Sequence, residues 1–258
     1  MAAAKIEELH KLTQEGDEAD LNRVIAIADG LLKTDAKDAD MISCKIVATV
    51  MKEEYKKAVG MILKDPALAK AHAFELLYCY YQMKDHAAAL ALVKDTPARG
   101  KNKGFWHVEA QLLRRLGRTK EAADIYEKQF ISKKGRMSND DNAGEIRANY
   151  VACLSGTNPG KAITYTDKLA KDEWAHGVAF NVASSLADSG KAERAVEVVD
   201  MAEKLCKEEL KDEDEKEIAQ ELENISLVKG YVLQKTDKGS DAEAIYRALL
   251  GSSQPAVA

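Results

Sequence analysis

Apolar positions recur along this chain with the spacing of an α-helix, and the periodic stretches come in pairs. The clearest pair surrounds Gly117: Trp106, Ala110 and Leu113 precede it, and Ala122 and Tyr126 follow it at the same helical spacing. Residues so spaced share one helix face. A glycine between two such faces supplies the turn that folds one helix back on the other. The frame recurs around Gly190, with Ala183 and Leu186 before and Ala195, Val199 and Ala202 after. It recurs around Asp237, with Gly230 and Leu233 before and Ala242 and Tyr246 after. Weaker copies surround Lys84 (Tyr80, Ala89, Val93) and Glu53 (Ile42, Ile46, Ala58, Ile62), and a degenerate one surrounds Thr157 (Ile146, Cys153, Ala162). The opening copy turns at Gly16 and continues through Val24, Ile27 and Leu31.

The pattern predicts about seven helix pairs. First helices are expected over 3–15, 39–52, 70–83, 103–116, 143–155, 176–189 and 219–235. Second helices are expected over 20–33, 54–64, 86–94, 119–132, 160–171, 191–210 and 240–250. Small residues at Ala110 and Ala122 allow close helix approach, while Trp106, Leu113 and Tyr126 fill the space between neighbours. This frame resembles the tetratricopeptide repeat (TPR), whose period is about 34 residues. The turns here lie 37, 31, 33, 40, 33 and 47 residues apart. The two long spacings hold insertions: a polar one at 133–142 and a charged one at 207–221. The charged run reads as a solvated helix extension or a mobile link, with an acidic docking site as the other reading. No Gly/Ser- or Pro-rich linker divides the chain. The expectation is therefore one domain over 1–258, an all-α, right-handed superhelical solenoid of TPR helix-turn-helix repeats. The small, polar stretch 251–258 is expected to fray.

Charge and composition narrow the function. A net charge of −5 and a pI near 5.7 disfavour a broad nucleic-acid surface, which needs clustered Lys and Arg. Cys44, Cys79, Cys153 and Cys206 are far apart and lie in apolar helical stretches, so neither a disulfide nor a metal site is expected. Buried reduced thiols fit a cytoplasmic location. The segment after Met1 has no apolar region of signal-peptide type, and the densest apolar stretch, 71–83, contains Glu75 and Gln82. Neither membrane insertion nor an export signal is expected. The five histidines have no ligand spacing, and there is no GxSxG, HExxH or phosphate-cradling glycine loop. The chain reads as non-enzymatic, with no catalytic residue, metal, cofactor or small-molecule substrate.

In a TPR stack the first helix of each pair lines the inner face. The inner stripes are then Ser43-Val47-Val50, Phe74-Tyr78-Tyr81, His107-Gln111-Arg114, Arg147-Val151-Leu154, Phe180-Ser184-Ala187 and Leu227-Tyr231-Gln234. Phe74, Tyr78 and Tyr81 form the most apolar stripe, because the frame assigns core positions on that helix to Ala73, Leu77 and Tyr80. Aromatics with polar tips suit a binding surface. Arg114, Arg115 and Arg147 form a basic patch. Its two readings are salt-bridging within the chain and recognition of acidic groups on a partner. The candidate peptide groove comprises Phe74, Tyr78, Tyr81, His107, Gln111, Arg114, Arg115, Arg147, Phe180 and Tyr231.

The segments FELLYCYYQMKDHAAAL (74–90), FNVASSLADSGKAERAVEVVDMAEKLCKEEL (180–210) and GYVLQK (230–235) add a more specific resemblance. They are similar to the N-terminal TPR domain in the family of 72-kilodalton subunits of the signal recognition particle. That family carries a variable acidic link where the charged run after Cys206 stands here. The resemblance implies binding of a C-terminal segment of the 68-kilodalton subunit, within a heterodimer acting in co-translational targeting to the endoplasmic reticulum. It also implies that the chain is an N-terminal fragment of a longer protein, and that the particle's RNA is met only indirectly, since the family's basic RNA-binding segment lies beyond the TPR domain. Two other classes remain open. A co-chaperone adaptor gripping another protein's tail needs Lys and Asn on successive inner stripes, where this chain has Ile6 and His10, then Ser43 and Val47. A helical-repeat RNA-binding module is disfavoured by the net charge.

Overall fold

The computed structural model describes residues 17–96, 100, 102–131 and 142–252. The expected first helix at 3–15, the Gly16 turn and the insertion up to residue 141 lie outside the described residues.

Those residues fold into α-helices: α1 Glu18–Leu32, α2 Ala39–Met51, α3 Tyr55–Ile62, α4 Pro66–Ala71, α5 Ala73–Gln82, α6 His86–Asp95, α7 Lys103–Arg115, α8 Thr119–Phe130, α9 Ala143–Thr157, α10 Pro159–Thr166, α11 His176–Asp188, α12 Ala192–Glu209, α13 Glu215–Lys235 and α14 Gly239–Ser252. A short 3₁₀ helix, Lys171–Glu173, precedes α11. Helix starts follow side-chain chemistry. Asp17, Asp38, Asp65, Asp85, Asn158 and Asp214 each accept a hydrogen bond from a backbone N–H of the first turn.

The turns within the pairs share one device. Glu53, Lys84, Gly117, Gly190 and Asp237 all have φ between 56° and 75°. The residue after each donates its N–H to a carbonyl five positions back: Glu54 to Thr49, Asp85 to Tyr80, Arg118 to Leu113, Lys191 to Leu186 and Lys238 to Leu233. This is the Schellman closure, which satisfies a helix's last carbonyls and reverses the chain. Gly117 and Gly190 adopt that backbone without penalty, whereas Glu53, Lys84 and Asp237 hold it against steric cost. Thr157 departs from the set. There the chain passes through Asn158 (φ −153°, ψ 76°), whose N–H bonds the Leu154 carbonyl at 2.6 Å and whose side chain caps α10.

Packing divides the chain into two compact units, Met1–Leu112 and Leu113–Ala258. In the first, α1 packs on α2, α2 on α3 and on α5, α3 on α5, and α5 on α6. Leu21, Val24 and Ala28 meet Met41, Cys44 and Ala48, and Ile46, Ile62 and Leu76 form a second cluster. In the second, the first helices α9, α11 and α13 pack successively on one another, while α10 bridges α9 to α11 and α12 bridges α11 to α13. Rings form a chain through this core: Tyr126–Tyr150 centroids lie 6.4 Å apart and Tyr150–Tyr165 5.1 Å. The small frame residues Ala58, Ala89, Ala110, Ala122, Ala162, Ala183, Ala195 and Ala202 are fully buried. At Gly230, a Cβ would come within 2.6 Å of the Tyr246 ring, so α14 lies against α13 where only hydrogen fits.

Three elements differ from the expected boundaries. The helix expected over 70–83 breaks at His72 (φ −106°, ψ 33°), because Asp65 and Pro66 start a separate helix before it. The helix expected over 160–171 ends at Thr166. Its continuation becomes the 3₁₀ turn, in which the Glu173 carboxylate accepts the Ala170 N–H at 2.9 Å. The charged run 207–221 is mostly helix, shared between the end of α12 and the start of α13, with Asp214 capping the latter.

Candidate functional site

A cleft of about 290 Å³ opens in the first unit. Val47, Val50 and Met51 from α2, Glu53 from the turn, Tyr55 from α3, and Phe74, Glu75 and Tyr78 from α5 line it. α2 and α5 are neighbouring first helices, so the inner stripes Val47-Val50 and Phe74-Tyr78 face one opening. Tyr78 packs edge-on against Tyr55 (centroids 6.1 Å, 72°) and tilted against Phe74 (6.5 Å). A Cβ on Gly104 would lie 2.9 Å from the Phe74 ring, so the ring rests directly on the α7 backbone. Met51 is 43 % exposed at the mouth. Burial, then Tyr78 and Glu53, push the Tyr55 phenol up to about 12. Glu75 sits 3.5 Å from Nδ1 of buried His72, whose Nε2 lies 3.1 Å from the Ser43 hydroxyl.

The cleft is just below the range of small-molecule pockets, roughly 300–1,000 Å³. It has an apolar floor and two carboxylates at its edge, which suits one or two large side chains of a peptide.

The other sequence-predicted residues fall elsewhere. Tyr81 belongs to the expected exposed stripe but is only 7 % exposed, at the end of α5 where its carbonyl accepts the Lys84 N–H of the turn. His107 and Gln111 are half-buried on α7 and lie 3.0 Å apart, one helical turn from each other. In the second unit, Arg114 and Arg115 are exposed, and Arg114 donates to the Asn149 amide oxygen at 3.3 Å. Arg147 departs from the expected basic patch. It is 5 % exposed and donates to the Glu173 carbonyl at 2.9 Å and the Glu173 carboxylate at 3.2 Å. The salt-bridging reading holds there, because the 3₁₀ turn brings a carboxylate over the helix face. Phe180 is half-buried beside Asn181, which donates to the Gly177 and Ala148 carbonyls and whose own carbonyl accepts from Ser155. The Tyr231 hydroxyl donates to Asp188, and the Lys235 ammonium lies 5.5 Å over its ring. Leu227, one turn earlier on α13, is 56 % exposed.

The sequence reading missed Met51, Glu53, Tyr55 and Glu75. They lie at the turn, beside it, or next to a stripe residue, so stripe periodicity does not select them. The available signal was the turn itself, which places its flanking side chains at the mouth of the gap between first helices.

Cys44, Cys79, Cys153 and Cys206 are buried free thiols, and burial raises the pKa of each, to about 11 for Cys79 and Cys153. Among the described residues no His/Cys/Asp/Glu group is placed to hold a metal, and no helix is long and apolar enough to cross a membrane.

Helices packed in pairs, with an apolar cleft between α2 and α5, make this an all-helical protein among the described residues. Comparison with known proteins narrows it: the chain is similar along most of its length to signal recognition particle subunit SRP72. It is 26 % identical to the Caenorhabditis elegans subunit over 251 residues, covering 96 % of this chain and 38 % of that one. It is 21 % identical to the Homo sapiens subunit over 245 residues, with coverage of 93 % and 35 %. Against the Dictyostelium discoideum subunit it is 25 % identical over 236 residues, with coverage of 88 % and 34 %. The chain thus spans little more than a third of these relatives. No family model matches it.

Proposed function

We propose that this chain is a TPR-type solenoid acting as a protein-binding scaffold of the signal recognition particle. It holds a C-terminal peptide segment of the 68-kilodalton subunit and thereby supports co-translational targeting to the endoplasmic reticulum from the cytoplasm. It works without catalysis. The observation that carries the reading is the open cleft between α2 and α5, lined by Val47, Val50, Phe74 and Tyr78. The similarity to SRP72 subunits supports a role in the signal recognition particle, and the 68-kilodalton partner is the one that the resemblance of the segments 74–90, 180–210 and 230–235 implies. A disordered segment that orders on binding loses part of its gross interaction energy, so a few buried anchors must supply the affinity.

The test is calorimetric titration with the 68-kilodalton subunit's C-terminal segment. Tyr78→Ala is expected to weaken binding by about 1–3 kcal/mol, as hot-spot truncations do. Exposed Lys128→Ala on α8 is expected to leave it unchanged. Helical content by circular dichroism should match wild type in both. Wild-type affinity in Tyr78→Ala would place the binding surface elsewhere.

A further inference from the structure

We propose that the cleft of the first unit selects a bulky apolar side chain with a lysine or arginine beside it. The inference rests on the peptide-groove reading and specifies the chemistry of the occupant. Two carboxylates, Glu53 and Glu75, line the cleft, and no lysine or arginine does among the described residues. The nearby lysines are engaged with a different carboxylate. Lys52 lies 3.1 Å and Lys57 2.6 Å from Glu54, and Lys52 also reaches the Asn22 amide oxygen at 2.5 Å. That arrangement lowers the Glu54 pKa, chiefly through the Lys57 hydrogen bond. Glu75 is part-buried against an imidazole held by Ser43, beside the apolar floor.

A carboxylate beside apolar surface loses hydration when a ligand covers it, and a cation arriving with that ligand offsets the loss. An acidic segment would instead set like charges together in a cleft being emptied of water. The floor has no polar side chain to satisfy apart from the phenol tips, so the group that enters is apolar. The volume of about 290 Å³ admits a leucine, methionine or phenylalanine side chain with its neighbour at the mouth. The cation then lies at the rim, within reach of Glu53 and Glu75.

Selection of a displayed random peptide library on the intact chain tests this, in parallel with the double variant Glu53→Gly/Glu75→Gln. Glycine relieves the positive φ at position 53 and glutamine keeps the shape at 75, so the variant retains its fold. Peptides selected on wild type are expected to carry Lys or Arg beside Leu, Ile, Met or Phe. They should bind the double variant about three- to tenfold more weakly at about 50 mM salt, with the gap shrinking at about 500 mM. Selected peptides without a cation bias, peptides rich in Asp or Glu, equal affinity for the double variant, or no selected peptide at all would each overturn the proposal. Tyr78→Ala separates the two readings. Peptides that lack the cation yet lose binding to Tyr78→Ala leave the groove standing and remove its charge preference. Peptides indifferent to Tyr78→Ala remove both.

Discussion

In the first unit the facing stripes of α2 and α5 leave a gap, whereas in the second the stripes of α9, α11 and α13 are tied together by their own side chains. The repeat frame is the same in both. The difference lies in what the stripe residues carry. Val47, Val50 and Phe74 have no side-chain polar group and draw no strap across the opening, and the Ser43–His72 contact lies one turn earlier on α2. The stripe residues Arg147 and Tyr231, and Asn181 beside the stripe residue Phe180, carry polar groups on arms long enough to find Glu173, Asp188 and the Ala148 carbonyl. A buried polar group left without a partner is costly, so such residues recruit one from the chain wherever geometry permits. The inner face of a helical repeat is thus open or closed according to side-chain chemistry rather than backbone.

The contrast breaks most sharply at Arg147. Arg147→Ala removes the cation from a buried pair and leaves the Glu173 carbonyl and carboxylate without it. The expected cost is about 3 kcal/mol of stability, read as a shifted urea midpoint. Peptide binding by the first unit, measured without urea, should not change. A midpoint shift equivalent to less than about 0.5 kcal/mol would mean the strap is a surface pair of little consequence.

The turns give a medium-sized test with opposite signs. Glu53→Gly, Lys84→Gly and Asp237→Gly should each raise stability by roughly 0.5–1 kcal/mol, since glycine removes the Cβ clash at positive φ. Gly117→Ala and Gly190→Ala should lower it by about as much. If Glu53→Gly instead lowers the thermal midpoint, its side chain stabilises the first unit and its presence at the rim has a structural cause.

The smallest effect distinguishes two causes of one perturbation. The phenols of Tyr55 and Tyr231 are both pushed up to about 12, the first mainly by burial and the second mainly by its hydrogen bond to Asp188. Asp188→Asn should bring one phenol back toward 10 in a spectrophotometric titration and leave Tyr55 where it is. The linkage has a definite sign. A phenol whose folded pKa exceeds its unfolded value stabilises fully below about pH 10, and that contribution is lost as pH rises toward 12. The alkaline limb of wild-type stability should therefore be steeper than that of Asp188→Asn.

Much of the fold was legible because the frame is local. Glu53, Lys84 and Asp237 stood out as turns without glycine, since small and apolar residues recur at fixed offsets around them, and each has a positive φ. The break at His72 was hidden because both flanks are strong helix formers, although Asp65-Pro66 was a readable helix start. The site was half legible. Phe74 and Tyr78 follow from helical spacing alone. The closure over Arg147 depends on Glu173, far along the chain in a 3₁₀ turn that no apolar period marks. Tyr81 was misjudged because a stripe defined by spacing stops describing exposure where a helix ends in a turn.

The hydrogen bonds that close these turns, such as Lys191 N–H to the Leu186 carbonyl, have a kinetic consequence. Each spans five positions, so a helix pair can be formed by the chain it contains, and the neighbour it packs on is the next one synthesised. Contacts of such short sequence separation form quickly, and no distant partner is required before the first of them. A nascent chain can therefore assemble α2 with α3 while α13 is still untranslated, and successive pairs add to a structure already present as they emerge.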